Sequence, residues 1–165
     1  VNNSLEEFSD NVIIKVQDFF GSVIHEEKIS FSVPADCARC IRHIAVGGRF
    51  YPNVIIHNRL RHYLMTAELE AHKEYKENSI FGEFKDVNMP KAELSVSYVD
   101  GKLEIEAMNF VKFLQIIPED YAAISIEDNY FDLLPGENRK ISLSSTSSQQ
   151  IEIKAFNGDS LFIRI

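Results

Sequence analysis

Asp128-Asn129-Tyr130-Phe131-Asp132-Leu133-Leu134-Pro135-Gly136-Glu137 organises the rest of this chain. Aromatic bulk, carboxylates and turn formers stand together between two segments of extended character. Pro135 fixes its own φ, and Gly136 can take the positive φ of a turn position closed to other residues. Tyr130 and Phe131 break simple alternation, so one or both are expected to pin the segment against a sheet. The strand pattern resumes at Arg139-Lys140-Ile141-Ser142-Leu143. The ten residues read as an interstrand crossing held by an aromatic plug, with Leu133 and Leu134 buried beside it. That is a structural anchor rather than a chemical site.

The flanking sequence is all strand. Ala92, Leu94, Val96 and Tyr98 alternate with Glu93, Ser95 and Ser97, and Asp100-Gly101 is a hairpin turn leading to Leu103, Ile105 and Ala107. Val111 to Ile116 carries apolar residues on both faces, and Ala123 to Ile126 is a fourth short strand. Beyond the anchor come Lys140 to Leu143, a polar loop at Ser144 to Ser148, and a last hairpin. That hairpin runs from Ile151 to Ala155 and returns through Leu161, Ile163 and Ile165 around Asn157-Gly158. Short strands with turns at this spacing indicate a β-sandwich.

Before the linker Val87-Asn88-Met89-Pro90 the pattern is less regular. Asn2 to Asp10 reads as a polar lead-in loop, Val12 to Gln17 as a strand, and Asp18-Phe19-Phe20-Gly21 as a turn. Ser22 to Val33 extends with Ile29, Phe31 and Val33 on one side and Lys28, Ser30 and Ser32 on the other. Ile41 to Val46 is expected as a strand, Val54 to Ile56 could add another, and Asn78 to Phe84 is expected to be extended. Residues 59 to 76 satisfy two patterns. Leu60, Tyr63, Leu64, Ala67, Ala71 and Tyr75 recur at helical spacing, while Tyr63, Met65, Ala67, Leu69 and Ala71 alternate. Local propensity favours helix and the all-strand surroundings favour strand. The expected organisation is two domains, residues 1–88 and 89–165.

The composition supports two cores and excludes some partners. Of 165 residues, 45% are hydrophobic and 12 are Phe, enough for two sandwiches of roughly 80 residues each. A formal net charge of −8 argues against a nucleic-acid partner. The absence of any run of 18 apolar residues argues against a membrane span. Val1-Asn2-Asn3-Ser4-Leu5-Glu6-Glu7 has neither the basic nor the apolar region of a signal peptide. Compartment is left open.

Several groups invite a chemical reading and are expected not to bear it. Cys37-Ala38-Arg39-Cys40 with His43 has zinc-knuckle or redox spacing, but a structural zinc needs about four ligands and there are no other cysteines. Asp128, Asn129, Asp132 and Glu137 could suggest calcium, but Tyr130, Leu134 and Pro135 interrupt the alternation of oxygen ligands, so turn capping is expected. His25, His43, His57, His62 and His72 contain no metalloprotease pair. His57, Arg59, Arg61 and His62 form one local basic patch, read as a solvated face. No GxSxG or phosphate-binding glycine loop occurs. Glu104, Glu106 and Glu152 alternate along strands as solvent-facing residues do, unlike the facing carboxylates of a glycosidase. No metal or cofactor is expected, and no catalytic residue.

The anchor also resembles a known signature. Glu127 to Glu137 is similar to the DNYFDLLPGE motif of the C-terminal Ig-like domain of β-mannosidases, in the large glycoside hydrolase family that includes β-galactosidases. The resemblance extends to Phe110-Val111-Lys112, to Lys91–Val99, to Asn78-Ser79-Ile80-Phe81 with Lys85, and to Asp18-Phe19-Phe20-Gly21. It is good over 78–165 and looser over 1–77. Glu127 stands where a serine is common.

The resemblance implies two tandem Ig-like sandwiches, and it makes residues 62 to 71 a strand. It identifies Val1-Asn2-Asn3 with the end of a first strand, so the first domain is expected to lack an N-terminal edge strand, which would favour pairing between molecules. In such enzymes the catalytic glutamates lie on a (β/α)8 barrel, and nothing here matches their segments. The resemblance thus implies a non-catalytic accessory region of a β-mannosidase-like hydrolase, partnered by the other domains of that enzyme. An independent carbohydrate- or protein-binding module is the alternative, with Phe50, Tyr51, Tyr63 and Tyr75 as its aromatic candidates.

Overall fold

The computed structural model describes residues 1–42 and 60–165. Twelve strands run through them: β1 Phe8–Asp18, β2 Val23–Val33, β3 Tyr63–Leu69, β4 Lys76–Ile80, β5 Leu94–Val99, β6 Lys102–Ala107, β7 Val111–Pro118, β8 Ile124–Ile126, β9 Phe131–Leu133, β10 Asn138–Ser145, β11 Gln150–Lys154 and β12 Leu161–Arg164. The helical pieces among the described residues are three 3-10 turns of three residues each, at Leu60–His62, Phe84–Asp86 and Tyr121–Ala123. The chain is all-β. It divides into two compact units, Val1–Asp18 with Ser22–Asn88, and Phe19–Gly21 with Met89–Ile165.

The described part of the first unit is an antiparallel sheet in the order β2-β1-β3-β4. Register puts Val12, Ile14 and Val16 in line with Ile29, Glu27 and His25 on one side and with Leu69, Ala67 and Met65 on the other. One face is therefore mainly apolar, and Val16 is its best-buried member, packed by Tyr63, Met65 and Phe81. The strand that the resemblance implied over residues 62 to 71 is present as β3, and the helical alternative fails among the described residues. Alternation wins because β3 lies between two strands whose ladders it completes, and context of that kind overrides propensity. Two boundaries also move. β1 already begins at Phe8, inside the expected lead-in loop, and β4 ends at Ile80, with Phe84 in a 3-10 turn. Ile41 and Arg42 are not in a strand, and the rest of the expected strand to Val46, with Val54 to Ile56, lies outside the described residues.

The second unit is a sandwich of two four-stranded sheets, β5-β6-β10-β8 and β12-β11-β7-β9. Alternation does the sorting. Leu103, Ile105 and Ala107 of β6 and Ile141 and Leu143 of β10 meet Val111, Leu114 and Ile116 of β7 and Ile151 and Ile153 of β11 in one buried cluster. At about 25 cal/mol per Å² of apolar surface, each Val, Leu or Ile among them contributes about 1.5–3 kcal/mol when fully buried. Asp100 and Gly101, both with positive φ, form the two-residue β5–β6 turn, whose twist matches that of its strands. Phe19, 2% exposed, stacks on the fully buried Phe110 within this unit, and the Phe110 amide donates to its carbonyl at 2.8 Å.

In the first unit Glu70, just past β3, accepts from Lys28 Nζ of β2 at 2.6 Å and from Asn11 Nδ2 of β1 at 2.8 Å. The Lys28 hydrogen bond first, and then that of Asn11, hold the Glu70 carboxyl below its ordinary value of 4.5. A carboxyl depressed by folding stabilises the fold fully above that ordinary value, and the contribution is lost as pH falls through the folded value. Thermal melts of wild type and Glu70→Gln should differ at neutral pH and converge in acid. A gap in melting temperature that persists unchanged in acid would count against this role.

Candidate functional site

The candidate site is the anchor itself, residues 128–137, built around an irregularity in β7. Val111 pairs with Leu133 and Leu114 with Phe131, so β7 spends one residue more than β9 between the two pairs. This is a β-bulge, and it leaves Lys112 and Phe113 out of the β9 ladder, with Phe113 at φ 49°. The anchor's side chains take over the missing bonds. Asp132 Oδ1 accepts from the Phe113 amide at 2.8 Å, and its Oδ2 lies 2.6 Å from Lys112 Nζ. Both side chains of that ion pair are largely buried, 11% and 13% exposed. From the other side Asn157 Oδ1 accepts from the Lys112 amide at 2.9 Å, and the Phe156 amide donates to the Lys112 carbonyl at 2.8 Å.

Each further position of the stretch has its own partner. Asp128 accepts from the Asn129 amide at 2.8 Å and pairs with Arg139, whose guanidinium lies 4.2 Å over the Phe131 ring. Asn129 Oδ1 accepts from the Ile116 amide at 2.8 Å and its Nδ2 donates to the Ile116 carbonyl at 2.9 Å. Phe131 and Leu133 point into the core. Leu134 is half-buried, and its amide donates to Glu137 Oε2 at 3.1 Å. The Glu137 amide donates back to the Leu134 carbonyl at 3.0 Å, closing a turn in which Gly136 holds φ 77°. Proline at the second position and a positive φ at the third make this a type II turn. Gly136 and Glu137 bind Ala107 of β6 through both of its backbone groups. Just before the stretch, the Ser142 side chain, and then its amide, hold the Glu127 carboxyl below its ordinary value.

The plug is therefore Phe131 with Leu133. Tyr130 is 64% exposed and sits at φ 64°. The crossing contains a strand of its own, β9, which pattern reading missed because three residues are too few to show a period. The oxygen atoms of Asp128, Asn129, Asp132 and Glu137 are engaged with amides and cations, and among the described residues no group of three or more His, Cys, Asp or Glu is placed to hold a metal.

The other candidates do not gather. Cys37 and Cys40 are exposed thiols rather than a disulfide, and the backbone of Cys37 pairs with that of Asn2. Arg61 and His62 are exposed, while His43, His57 and Arg59 lie outside the described residues. His72 packs against Phe8 and Tyr75. Glu104 pairs with Lys140, and Glu152 accepts from Ser160. Of the aromatic candidates, Phe50 and Tyr51 lie outside the described residues and Tyr63 is half-buried. Tyr75, 65% exposed, lines a cavity of about 420 Å³ in the first unit with Phe8, Val12, Phe31, Val33 and Leu69.

Comparison with known proteins bears on both units. The family model described as the mannosidase Ig/CBM-like domain matches residues 1–86, and the mannosidase-type Ig-fold domain model matches residues 84–160. Among solved structures, the exo-chitosanase CsxA of Amycolatopsis orientalis matches with a TM-score of 0.58 at 14% identity, covering 99% of this chain and 24% of that one. A complex of the same enzyme with PNP-beta-D-glucosamine matches with a TM-score of 0.57 at 12% identity. This likeness is one of fold, and the chain spans 24% of the length of those structures. No curated protein sequence matches the chain.

Phe131→Ala should leave a cavity and destabilise the second unit by about 3–5 kcal/mol. That is a large share of the 5–15 kcal/mol or so that holds a domain together. Lys112→Met, which strands the Asp132 carboxylate in a largely buried place, should cost about 3–5 kcal/mol, and adding Asp132→Leu should recover part of it. Urea unfolding of the three variants checks both effects.

Proposed function

The chain belongs to the mannosidase Ig/CBM-like domain family, and we propose that it is the non-catalytic accessory region of a β-mannosidase-like exo-glycosidase. In this reading it supports and packs against a catalytic (β/α)8 barrel carried elsewhere in a longer polypeptide. The observation that carries it is the occupancy of the anchor. Asp128, Asn129, Asp132 and Glu137 are committed to amides, Arg139 and Lys112 within their own unit. A stretch so engaged holds strands in register and offers no free acid or base. The described residues contain no barrel, and the chain covers 24% of an exo-chitosanase of like fold. Terminal β-mannosides are the proposed substrates of the whole enzyme. The proposed partners are its other domains, with neither nucleic acid nor a membrane. Among the described residues no helix is long and apolar enough to cross one.

The cavity beside Tyr75 favours a second reading, an independent carbohydrate- or protein-binding module. The two are separated by one set of measurements. The chain alone should hydrolyse no aryl β-mannoside. In the full enzyme Phe131→Ala should lower the folded yield and leave the preference between β-mannoside and β-glucosaminide substrates unchanged. A variant that melts like wild type but has lost turnover would place the anchor beside the substrate and sink the accessory reading. Tight binding of the isolated chain to glycans, lost in Tyr75→Ala, would favour the second.

A further inference from the structure

Strand β12, Leu161–Arg164, is an open edge of the sheet β12-β11-β7-β9. Gln149 and Ile165 exchange both backbone hydrogen bonds. An antiparallel ladder alternates, so Leu161 and Ile163 also turn their amides and carbonyls toward β11, while Phe162 and Arg164 turn theirs outward. Natural edges are blunted by shortness, charge, proline or a bulge. This one is short and ends on Arg164, but it carries no lysine, proline or bulge within Leu161-Phe162-Ile163-Arg164, and its Leu161 and Phe162 are 39% and 62% exposed.

We propose that β12 is a self-association edge: a second copy of this chain pairs its own β12 antiparallel across a two-fold axis at Ile163, joining two sheets into one. The two copies then present the same surface to each other, as closed two-fold dimers do. The register follows from the side chains. With the axis at Ile163, Phe162 stands opposite Arg164 of the second copy, and Arg164 opposite the second copy's Phe162. Both are hydrogen-bonded positions, so the outward amides and carbonyls of both strands are satisfied. Each guanidinium lies across an exposed ring, a favourable cation–π arrangement. Glu152, which neighbours Phe162 in register on β11, adds a carboxylate to the same face. On the core face Ile163 meets its counterpart and Leu161 meets Ile165, so apolar side chains that are half-buried or exposed here continue the core across the joint.

Competing registers are worse. A slip of one residue sets the outward groups of one strand against the inward groups of the other. A slip of two in one direction sets Arg164 against itself, and like charges directly opposite repel; in the other it sets Phe162 against itself, which takes both guanidiniums off the rings and moves Ile163 away from its counterpart. The pairing is independent of the accessory role proposed above, since it uses backbone and side chains of this chain alone.

Light scattering coupled to size exclusion, from micromolar to hundreds of micromolar chain, should show a concentration-dependent dimer. Phe162→Pro removes only an amide that faces the open edge, and Arg164→Glu alters an exposed side chain. Each should weaken the dimer at least about tenfold, with melting behaviour close to wild type. Ile163→Cys in a Cys37→Ser, Cys40→Ser background should form a covalent dimer on oxidation, because facing residues at a non-hydrogen-bonded position bring Cα atoms within about 4.5 Å. A chain that stays monomeric throughout overturns the proposal. So does a dimer that both edge variants leave intact, or an Ile163→Cys chain that is not crosslinked at concentrations where the dimer forms.

Discussion

The extra residue in β7 is the constraint on which the second unit depends. A bulge bends a strand and strips backbone groups of their ladder partners, and a buried amide without a partner costs about 1–3 kcal/mol. Lys112 and Phe113 are the residues so exposed to loss, and Lys112 lies in the core layer, 9% exposed. Asp132 answers for two donors, the Phe113 amide and the Lys112 ammonium. Asn157 and the Phe156 amide answer for the Lys112 backbone. With these in place Val111 and Leu114 can both face the core although the spacing between them is odd.

The same device recurs wherever a strand ends early. Asn109, 2% exposed, accepts from the Glu93 amide and donates to the Lys91 carbonyl, extending the β5–β6 pairing by a side chain. Asn157 donates to the carbonyls of Pro90 and Phe110. Gln149 accepts from the Asp120 amide. In the first unit Asn2 donates to the carbonyls of Val33 and Pro34 and accepts from the Ser4 amide. A carboxamide carries the donor and acceptor set of a peptide group, so it can stand in for a strand residue where the chain has turned away. These buried and half-buried polar residues hold the fold together at its seams.

How much of this was legible in the sequence varies with the physical signal. Period-2 strands such as β5, β6 and β11 could be read directly, because one buried face forces alternation. β3 could not be read from its own period, since Tyr63, Leu64 and Ala67 suit a helix as well as Tyr63, Met65 and Ala67 suit a strand; the resemblance pointed to strand, and the neighbouring ladders of β1 and β4 hold it there. Within the anchor, Pro135-Gly136 announces its turn, but no local rule shows that Phe131 faces inward while Tyr130 takes a left-handed conformation. The bulge was invisible for a related reason: Val111 to Ile116 is apolar on both faces, so an inserted residue leaves no break in the pattern. Asp132 could be suspected of capping, but its partner Lys112 lies 20 residues away, beyond any spacing argument.

Donor and acceptor arithmetic then explains why the anchor carries these letters. Position 129 must accept from the Ile116 amide and donate to the Ile116 carbonyl. Asparagine does both. An aspartate there would set a second acceptor against that carbonyl, and a leucine would leave both groups unpaired. Position 132 faces an amide and an ammonium, two donors, and needs two acceptors. Aspartate supplies them, whereas asparagine would turn an amino group toward Lys112 or Phe113. Position 128 serves an amide and a guanidinium and again calls for a carboxylate. The alternation Asp-Asn-x-x-Asp, which from sequence alone suggests ligands for a cation, is thus the pattern of a strand edge repaired by side chains. The cations it meets are Arg139 and Lys112 of its own unit.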